Sequence, residues 1–502
     1  MKKFVVIAAL AALVLSSCAD LVNVSVPAES TGQELLGMGV ELDPHFMSQN
    51  VTRNDSSKAE DWFNIVVPRV NSMDVQRFRI MLQPHWWEPY NDNDDPAVTD
   101  YSKFTLDSPE VQSVCAVLDM IEAMPGERTA LLVSWGCPIS ANCVDPATGY
   151  VGRHFLCADD GKNWCCRCAD DEEFAENFVM FTKWLVEVKG YTCVKEITPY
   201  NEPDGGHVSD PEYYIPTCKA LAARLEKEGL KDRIKLNLSD NIDIGRPFLE
   251  AATAALGEEA ALFNSHTYIF GYETPNSTVL EWERANAALA NAAGKPHFVG
   301  EFGSNQCVGA SRQKDINWYK RGVLIVRNAI NFLNAGAAGA SYWSLIDQYY
   351  AYDQEYEQMQ QLGLWRYLEE VYEPQDIAEN VPSGDYSCRP QYYAYSFLTR
   401  FVRKGDFVYP LDLGDEFAAG TAVKSAEGKW TYIFANGTDT DKKFTVSNPN
   451  SEKLSSCDCY LYSEDTLPTD GSQIEASSTV CGCCGSYKVS LPAQTVVILR
   501  QK

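Results

Sequence analysis

Short apolar runs alternate with amphipathic stretches over most of the chain. The apolar runs are Leu36 to Leu42, Val75 to Leu82, Thr129 to Trp135, Val194 to Tyr200, Ile234 to Leu238, Leu262 to His266, Phe298 to Gly300 and Ala340 to Leu345. Each has the length and composition of a buried strand. The stretches between them carry apolar residues at helical spacing, most clearly at Ser108 to Met124, Asp171 to Lys189, Asp210 to Glu228, Arg246 to Leu256, Ser277 to Ala293 and Asp315 to Asn334. Eight strand–helix alternations predict an α/β fold, a (β/α)8 barrel over residues 35–403. An open doubly wound sheet is the alternative, but no glycine-rich phosphate loop follows the first run.

After a last helix, Gln391 to Leu398, the period changes. Thr421 to Lys424, Trp430 to Phe434, Lys443 to Val446 and Thr495 to Leu499 are short alternating runs, with turns marked by Asn436-Gly437 and Asp470-Gly471. Residues 404–502 therefore read as an antiparallel β-sandwich that packs on the barrel or binds carbohydrate. Residues 19–34 are polar, and read as a tether. Long insertions follow the second, third and eighth runs: 84–105, 137–170 and 347–384. Loops after strand ends stand on the active face of a barrel.

The first residues change the picture of where the chain works. Met1-Lys2-Lys3 and the apolar Phe4 to Leu15 read as an export signal too short to span a membrane stably. Leu15-Ser16-Ser17-Cys18 resembles a bacterial lipobox, which implies cleavage before Cys18 and a lipid anchor on it. An ordinary secretory signal cut near Ser17 is the alternative. The chain holds 17 cysteines, and in an exported protein these predict disulfides. Zinc held by one of the two cysteine clusters is the rival reading.

Composition narrows the partners. A net charge of -27 repels phosphate backbones and argues against nucleic acid. The 26 Tyr, 21 Phe and 11 Trp mostly fill a core of this size, but rings also stack on sugar faces. Trp86, Trp87, Tyr349, Tyr350 and Trp365 in the long loops predict walls of a cleft suited to a polymer. Asn91-Asp92-Asn93-Asp94-Asp95 offers oxygens to calcium, although the spacing does not fit the helix–loop–helix pattern, and a solvated acidic loop is the plainer reading.

The chemistry centres on two glutamates at strand ends. Thr198-Pro199-Tyr200-Asn201-Glu202-Pro203 closes the fourth strand, and Val299-Gly300-Glu301-Phe302 the seventh. Pro203 stops the ladder and disfavours helix at Glu202, which sets that carboxylate at an abrupt end. Asn201 offers an amide to a sugar hydroxyl beside it. Here the chain resembles clan A of the glycoside hydrolases, retaining barrel enzymes in which Asn-Glu-Pro ends strand four and a second Glu ends strand seven. The resemblance implies Glu202 as acid/base and Glu301 as nucleophile. It also implies Arg79, with Arg77 not excluded, beside the nucleophile; His266 and Tyr268 near it; and Trp343 as a sugar platform. Trp87 is a further candidate for substrate contact.

A retaining mechanism places the two carboxyls about 5–5.5 Å apart and needs neither metal nor organic cofactor. In it Arg79 keeps Glu301 ionised, and that charge raises the pKa of Glu202. Glu41, Asp43, Glu88 and Asp347 are rival acids near strand ends. The expected substrate is a β-linked polysaccharide, β-glucan first and cleaved internally. The alternatives are exo action on xylo-, manno- or galacto-configured substrates, and a surface lipoprotein that binds glycan without cleaving it. Oligomeric state is open.

Overall fold

The computed structural model describes residues 21–44, 60–134, 143–144, 151–152, 154–158, 167–208, 210–242, 246–306, 313–349, 359–360, 362–366, 386–451, 455–482 and 486–502. Eight parallel strands close into a barrel: β1 (Gly39–Glu41), β2 (Arg77–Leu82), β3 (Thr129–Ser134), β4 (Val194–Thr198), β5 (Lys235–Asn241), β6 (Ala260–Thr267), β7 (His297–Phe302) and β8 (Ala340–Tyr342). The circle closes where Ser341 and Tyr342 of β8 pair with Gly39 and Val40 of β1. Alternation along a strand sorts the side chains. On β2, Phe78, Ile80 and Leu82 pack outward in the main core against the helices, whereas Met81 joins a small apolar cluster with Leu131 and Val133.

Helices Pro109–Ala123, Asp171–Lys183, Pro211–Lys227, Arg246–Ala255, Asn276–Ala292 and Tyr319–Ala335 occupy the stretches expected for them. Their starts follow capping chemistry. Ser108 accepts from the Val111 amide, and Asp170 accepts from the amides of Glu172 and Glu173 at 2.9 and 3.2 Å. One helical stretch went unread: a turn at Trp62–Val66 runs into helix Val67–Met73, whose Pro68 sits in its first turn where the missing N–H costs nothing.

The lower interior of the barrel is polar yet closed. Arg77 donates to Glu196 at 2.6 Å and lies over the Phe298 ring. Asn237 donates to the same Glu196 oxygen at 3.0 Å and accepts from Asn264 at 2.6 Å. Arg77 is thus a structural residue below the mouth. Removing one partner of such a buried pair costs about 3–5 kcal/mol.

The C-terminal residues form two sheets over a shared core that includes Leu411, Trp430, Tyr432, Phe434, Phe444 and Val489. The larger has six strands, ordered Phe407–Leu411, Ala418–Lys424, Trp430–Asn436, Thr495–Gln501, Cys457–Tyr462 and Ser478–Val480. The smaller has three: Val22–Ser25, Lys442–Ser447 and Ser486–Leu491. Its first member corrects an expectation. Residues expected to form a loose tether instead pair in parallel, Val22 with Phe444 through Ser25 with Ser447, and bury Val24 and Val26 in the sandwich core.

Barrel and sandwich are packed together. Tyr319 and Tyr462 stack with ring centroids 4.8 Å apart, and the Tyr319 hydroxyl donates to the Gln494 carbonyl at 2.6 Å. Among the described residues Cys115, Cys193, Cys218, Cys388, Cys457, Cys459 and Cys481 are free thiols, so the disulfides expected are not seen at these seven positions. Cys157 and Cys168 aside, the other candidates for pairing, and Cys18 with the export signal, lie outside the described residues or side chains. No helix among the described residues is long and apolar enough to cross a membrane.

Candidate active site

Glu202 follows β4 in a left-handed conformation, φ 45°. Such a backbone costs a non-glycine residue about 1–3 kcal/mol and persists where surroundings fix it. Here the Asn201 amide donates to the Ser134 carbonyl and the Glu202 amide to the Asp240 carbonyl, each at 3.0 Å. Asp240 itself is the penultimate residue of β5, at φ 53°, after Ser239 at φ 76°. Ser239 is pinned by its amide to the Tyr214 hydroxyl at 2.8 Å and by its own hydroxyl to Asn241 at 2.6 Å. Glu301 enters from β7, where a register irregularity after Val299 sets it opposite His266 of β6. Gly300 makes that possible, since a Cβ there would collide with the Asn264 side chain.

These elements converge on one cluster of charges. One oxygen each of Glu202 and Glu301 and a ring nitrogen of His266 all lie within 4.8 Å of one another. Arg79 donates to Glu301 at 2.5 Å, to Asn201 Oδ1 at 2.6 Å and to Asp240 at 2.7 Å. His266 Nδ1 lies 2.8 Å from Glu202 and 3.6 Å from Glu301, and its Nε2 lies 3.1 Å from Asp240. The Tyr268 hydroxyl donates to the second Glu301 oxygen at 2.7 Å.

Electrostatics assign protons within the cluster. Burial alone would discharge His266, but the Glu301 and Asp240 carboxylates hold its pKa up at about 10, so both ring nitrogens donate. Burial resists ionisation of Asp240 too, and Arg79 and His266 overcome it, holding that carboxyl down at about 2. Burial and the Glu301 charge push the Tyr268 phenol far up, which keeps it a donor. Burial also pushes the Glu301 carboxyl above its ordinary value, while His266 and Arg79 pull it back. Desolvation thus works against the ionised Glu301 that Arg79 alone would favour.

The structure therefore brings together Glu202, Glu301, Asn201, Arg79, His266 and Tyr268. Trp343, after β8, is buried in an apolar patch with Met81, Leu131, Val133, Ile316 and Leu362, against which Tyr268 packs. Trp87 does not join the site. It is fully buried, stacked on Phe181 at 4.1 Å and 5° and bonded to the Asn177 carbonyl, because its loop folds down onto helix Asp171–Lys183. Trp86 and Trp365 are buried as well, so neither lines a cleft; the side chains of Tyr349 and Tyr350 lie outside those described.

Of the rival acids, Asp347 is held by Arg389 through two contacts of 2.7 and 3.0 Å, and Glu41 sits opposite Arg79 in the β1–β2 register. Glu88 belongs to a separate cluster, and Asp43 is buried. Asp240 is the member the sequence reading missed. Its signal was the polar Ser239-Asp240-Asn241 continuing an apolar strand with no Gly or Pro among them, a pattern that suits a strand pointing into a charged barrel mouth.

No family model matches the chain, and no curated protein sequence matches it. Solved structures do. A glycoside hydrolase family 30 subfamily 8 xylanase from Clostridium acetobutylicum superposes with a TM-score of 0.59 at 13% identity, covering 96% of this chain and 100% of its own. The catalytic domain of a family 30 xylanase from Talaromyces cellulolyticus gives 0.62 at 14%, covering 96% and 100%. An endo-β1,6-glucanase gives 0.60 at 14%, covering 96% and 93%. The chain has their fold. Barrel and sandwich are shared over nearly the whole length, and the chemistry rests on this chain's own residues.

Proposed function

We propose that the protein is a retaining β-glycoside hydrolase. The observation that carries this reading is that one carboxylate oxygen of Glu202 and one of Glu301 come within 4.8 Å of each other across the barrel mouth, which favours the closer spacing of a double-displacement pair over the wider one that seats an attacking water. The two differ as their tasks require. The Glu301 side chain is 6% exposed and fixed by Arg79 and Tyr268, as suits a nucleophile that must meet one carbon. The Glu202 side chain is 28% exposed, as suits a group that exchanges a proton first with a leaving oxygen and then with water.

Glu202 donates its proton to the glycosidic oxygen as Glu301 attacks the anomeric carbon. The glycosyl-enzyme forms, and Glu202 then removes a proton from the incoming water. Arg79, His266 and Tyr268 hold the Glu301 carboxylate in line, and Asp240 holds Arg79 and His266. The fold neighbours named as xylanases and as an endo-β1,6-glucanase support a β-linked polysaccharide as substrate. β-Glucan stands first and xylan next, with cleavage inside the chain. Cys18 carries a lipid anchor in this reading, and labelling with a radioactive fatty acid that persists in Cys18→Ala would remove it.

The test is hydrolysis of a panel of β-glucans, xylan, mannan, galactan and aryl β-glycosides by the wild type, Glu202→Ala and Glu301→Ala. The wild type cleaves one class with retention of anomeric configuration, both variants lose nearly all activity, and azide restores turnover of an activated glycoside. Full activity in either variant, or an inverted product, would overturn the assignment. Glycan binding without cleavage would favour the non-catalytic surface protein.

A further inference from the structure

A second group of carboxylates lies outside the barrel mouth. Glu88 and Asp92 come from the loop after β2, and Glu173 and Glu176 from consecutive turns of one face of helix Asp171–Lys183. One oxygen from each lies within 4.8 Å of the others. Glu88 and Glu176 are fully buried, and Glu173 is 8% exposed.

Few donors serve this group. Glu88 accepts from the Asp92 amide at 3.1 Å and from the Asn177 amide at 2.7 Å. Asp92 is taken up by Asn93 and by the Asp100 amide. Asn91 serves Glu173. Neither oxygen of Glu176 makes a hydrogen bond of normal geometry, although Thr99 lies close enough to draw its pKa down, and Asn177 Oδ1 is equally unserved. Arg224 is the nearby cation, but its guanidinium is directed at the Pro96 carbonyl, Thr99 and Glu228. A fully buried carboxylate with two idle oxygens facing three others is an arrangement that calls for a positive charge among them.

We propose that Glu88, Asp92, Glu173 and Glu176 bind a calcium ion that clips the loop after β2 to helix Asp171–Lys183. The donors are all hard oxygens, with no imidazole or thiolate in the set, which excludes a zinc-type site. Four carboxylates, each giving one or two oxygens, can with water supply the six to eight oxygens calcium takes in irregular geometry, whereas magnesium demands a near-ideal octahedron and keeps its waters. Without the ion the acids resist ionisation. Burial, reinforced by Glu176, pushes the Glu88 carboxyl up to about 9, and burial with neighbouring acids pushes Glu173 and Glu176 to about 7. The clip bears on the active face, because the Glu88 carbonyl also holds His154 of the cysteine-rich insertion at 2.9 Å.

The experiment uses the purified full chain, stripped with EDTA and titrated with Ca²⁺ alone, beside Glu176→Gln and Asp92→Asn. The wild type binds one Ca²⁺ with a Kd of roughly 10⁻³ M or tighter. Saturation raises its thermal midpoint by roughly 3 °C or more. Both variants lose binding and the rise, yet in EDTA Glu176→Gln unfolds no lower than the wild type, since it removes a buried charge without removing volume. Absence of calcium binding by the wild type, unchanged binding in the two variants, or a response to Mg²⁺ as large as to Ca²⁺ would overturn the proposal. Glu202→Gln binds calcium like the wild type, so the result stands apart from the catalytic assignment.

Discussion

Two clusters of buried carboxylates sit a loop apart and solve the same electrostatic problem differently. In the barrel mouth Glu202, Asp240 and Glu301 surround two cations of the chain's own, Arg79 and His266. In the loop–helix cluster Glu88, Asp92, Glu173 and Glu176 have only Arg224 alongside, and its guanidinium is bonded to Pro96, Thr99 and Glu228. Charges held internally are fixed in place and aimed, which suits groups that must meet a substrate at one angle. Acids left without a counter-charge either keep protons or take up an ion from outside, which suits a fastening whose strength follows the medium. Composition alone does not separate the two. The partner inside the cluster does.

The sharpest break of this comparison is at the mouth. Replacing Glu301 by Ala lowers kcat on an unactivated polysaccharide by about 10⁴-fold or more, because covalent catalysis is removed and the pair acts as a unit. Steady-state rates read this directly, and a loss of less than tenfold would place the nucleophile elsewhere. Asp240→Asn comes second. It touches no substrate but releases Arg79 and His266 together, and kcat falls on the order of 10²-fold with KM little changed. The readout that separates positioning from mere structure is the pH profile, whose basic side moves down as His266 loses one of the three carboxylates around it.

The charge on His266 itself makes the third prediction. Its folded pKa is about 10, above the ordinary value of about 6.5 for an unfolded histidine. Its contribution to stability is therefore fully present below pH ~6.5 and is lost as pH rises through about 10. Proton-detected titration of the His266 ring should show imidazolium at pH 8, and a neutral ring there would sink the account. Smallest is the effect at the other cluster: in EDTA, Glu176→Gln raises the unfolding midpoint by roughly 1–3 °C and flattens its dependence on pH between about 5 and 8, where the wild type must shed protons from buried acids. A lower midpoint for the variant would show that Glu176 already has a partner.

The barrel was legible because its signal is repeated. Eight buried strands with helices between them leave few architectures open, and the meeting of Glu202 and Glu301 could be expected because each ends an apolar run of known rank in the circle. Asp240 was hidden by the same rule. Strand β5 seemed to stop at Leu238, where polar residues begin, yet those residues point into a charged interior and continue the strand to Asn241. Trp87 misled in the opposite sense, since an aromatic beside an acid in a long loop looks like a sugar platform until the loop is seen to lie down on Phe178 and Phe181. The four residues Val22–Ser25 carry too short an alternation to announce a strand, and their partner lies more than four hundred positions along the chain.

That small strand has a mechanical consequence. It runs parallel to Lys442–Ser447, and the chain after it is tied again where Thr31 donates to the Val408 carbonyl and Leu35 to the Asp406 carbonyl. Tension applied at Val22 is borne first by a row of hydrogen bonds in the sandwich, and only after these yield would load reach β1 and the barrel. The sandwich acts as a strain relief, of the kind that protects a cable where it enters an instrument.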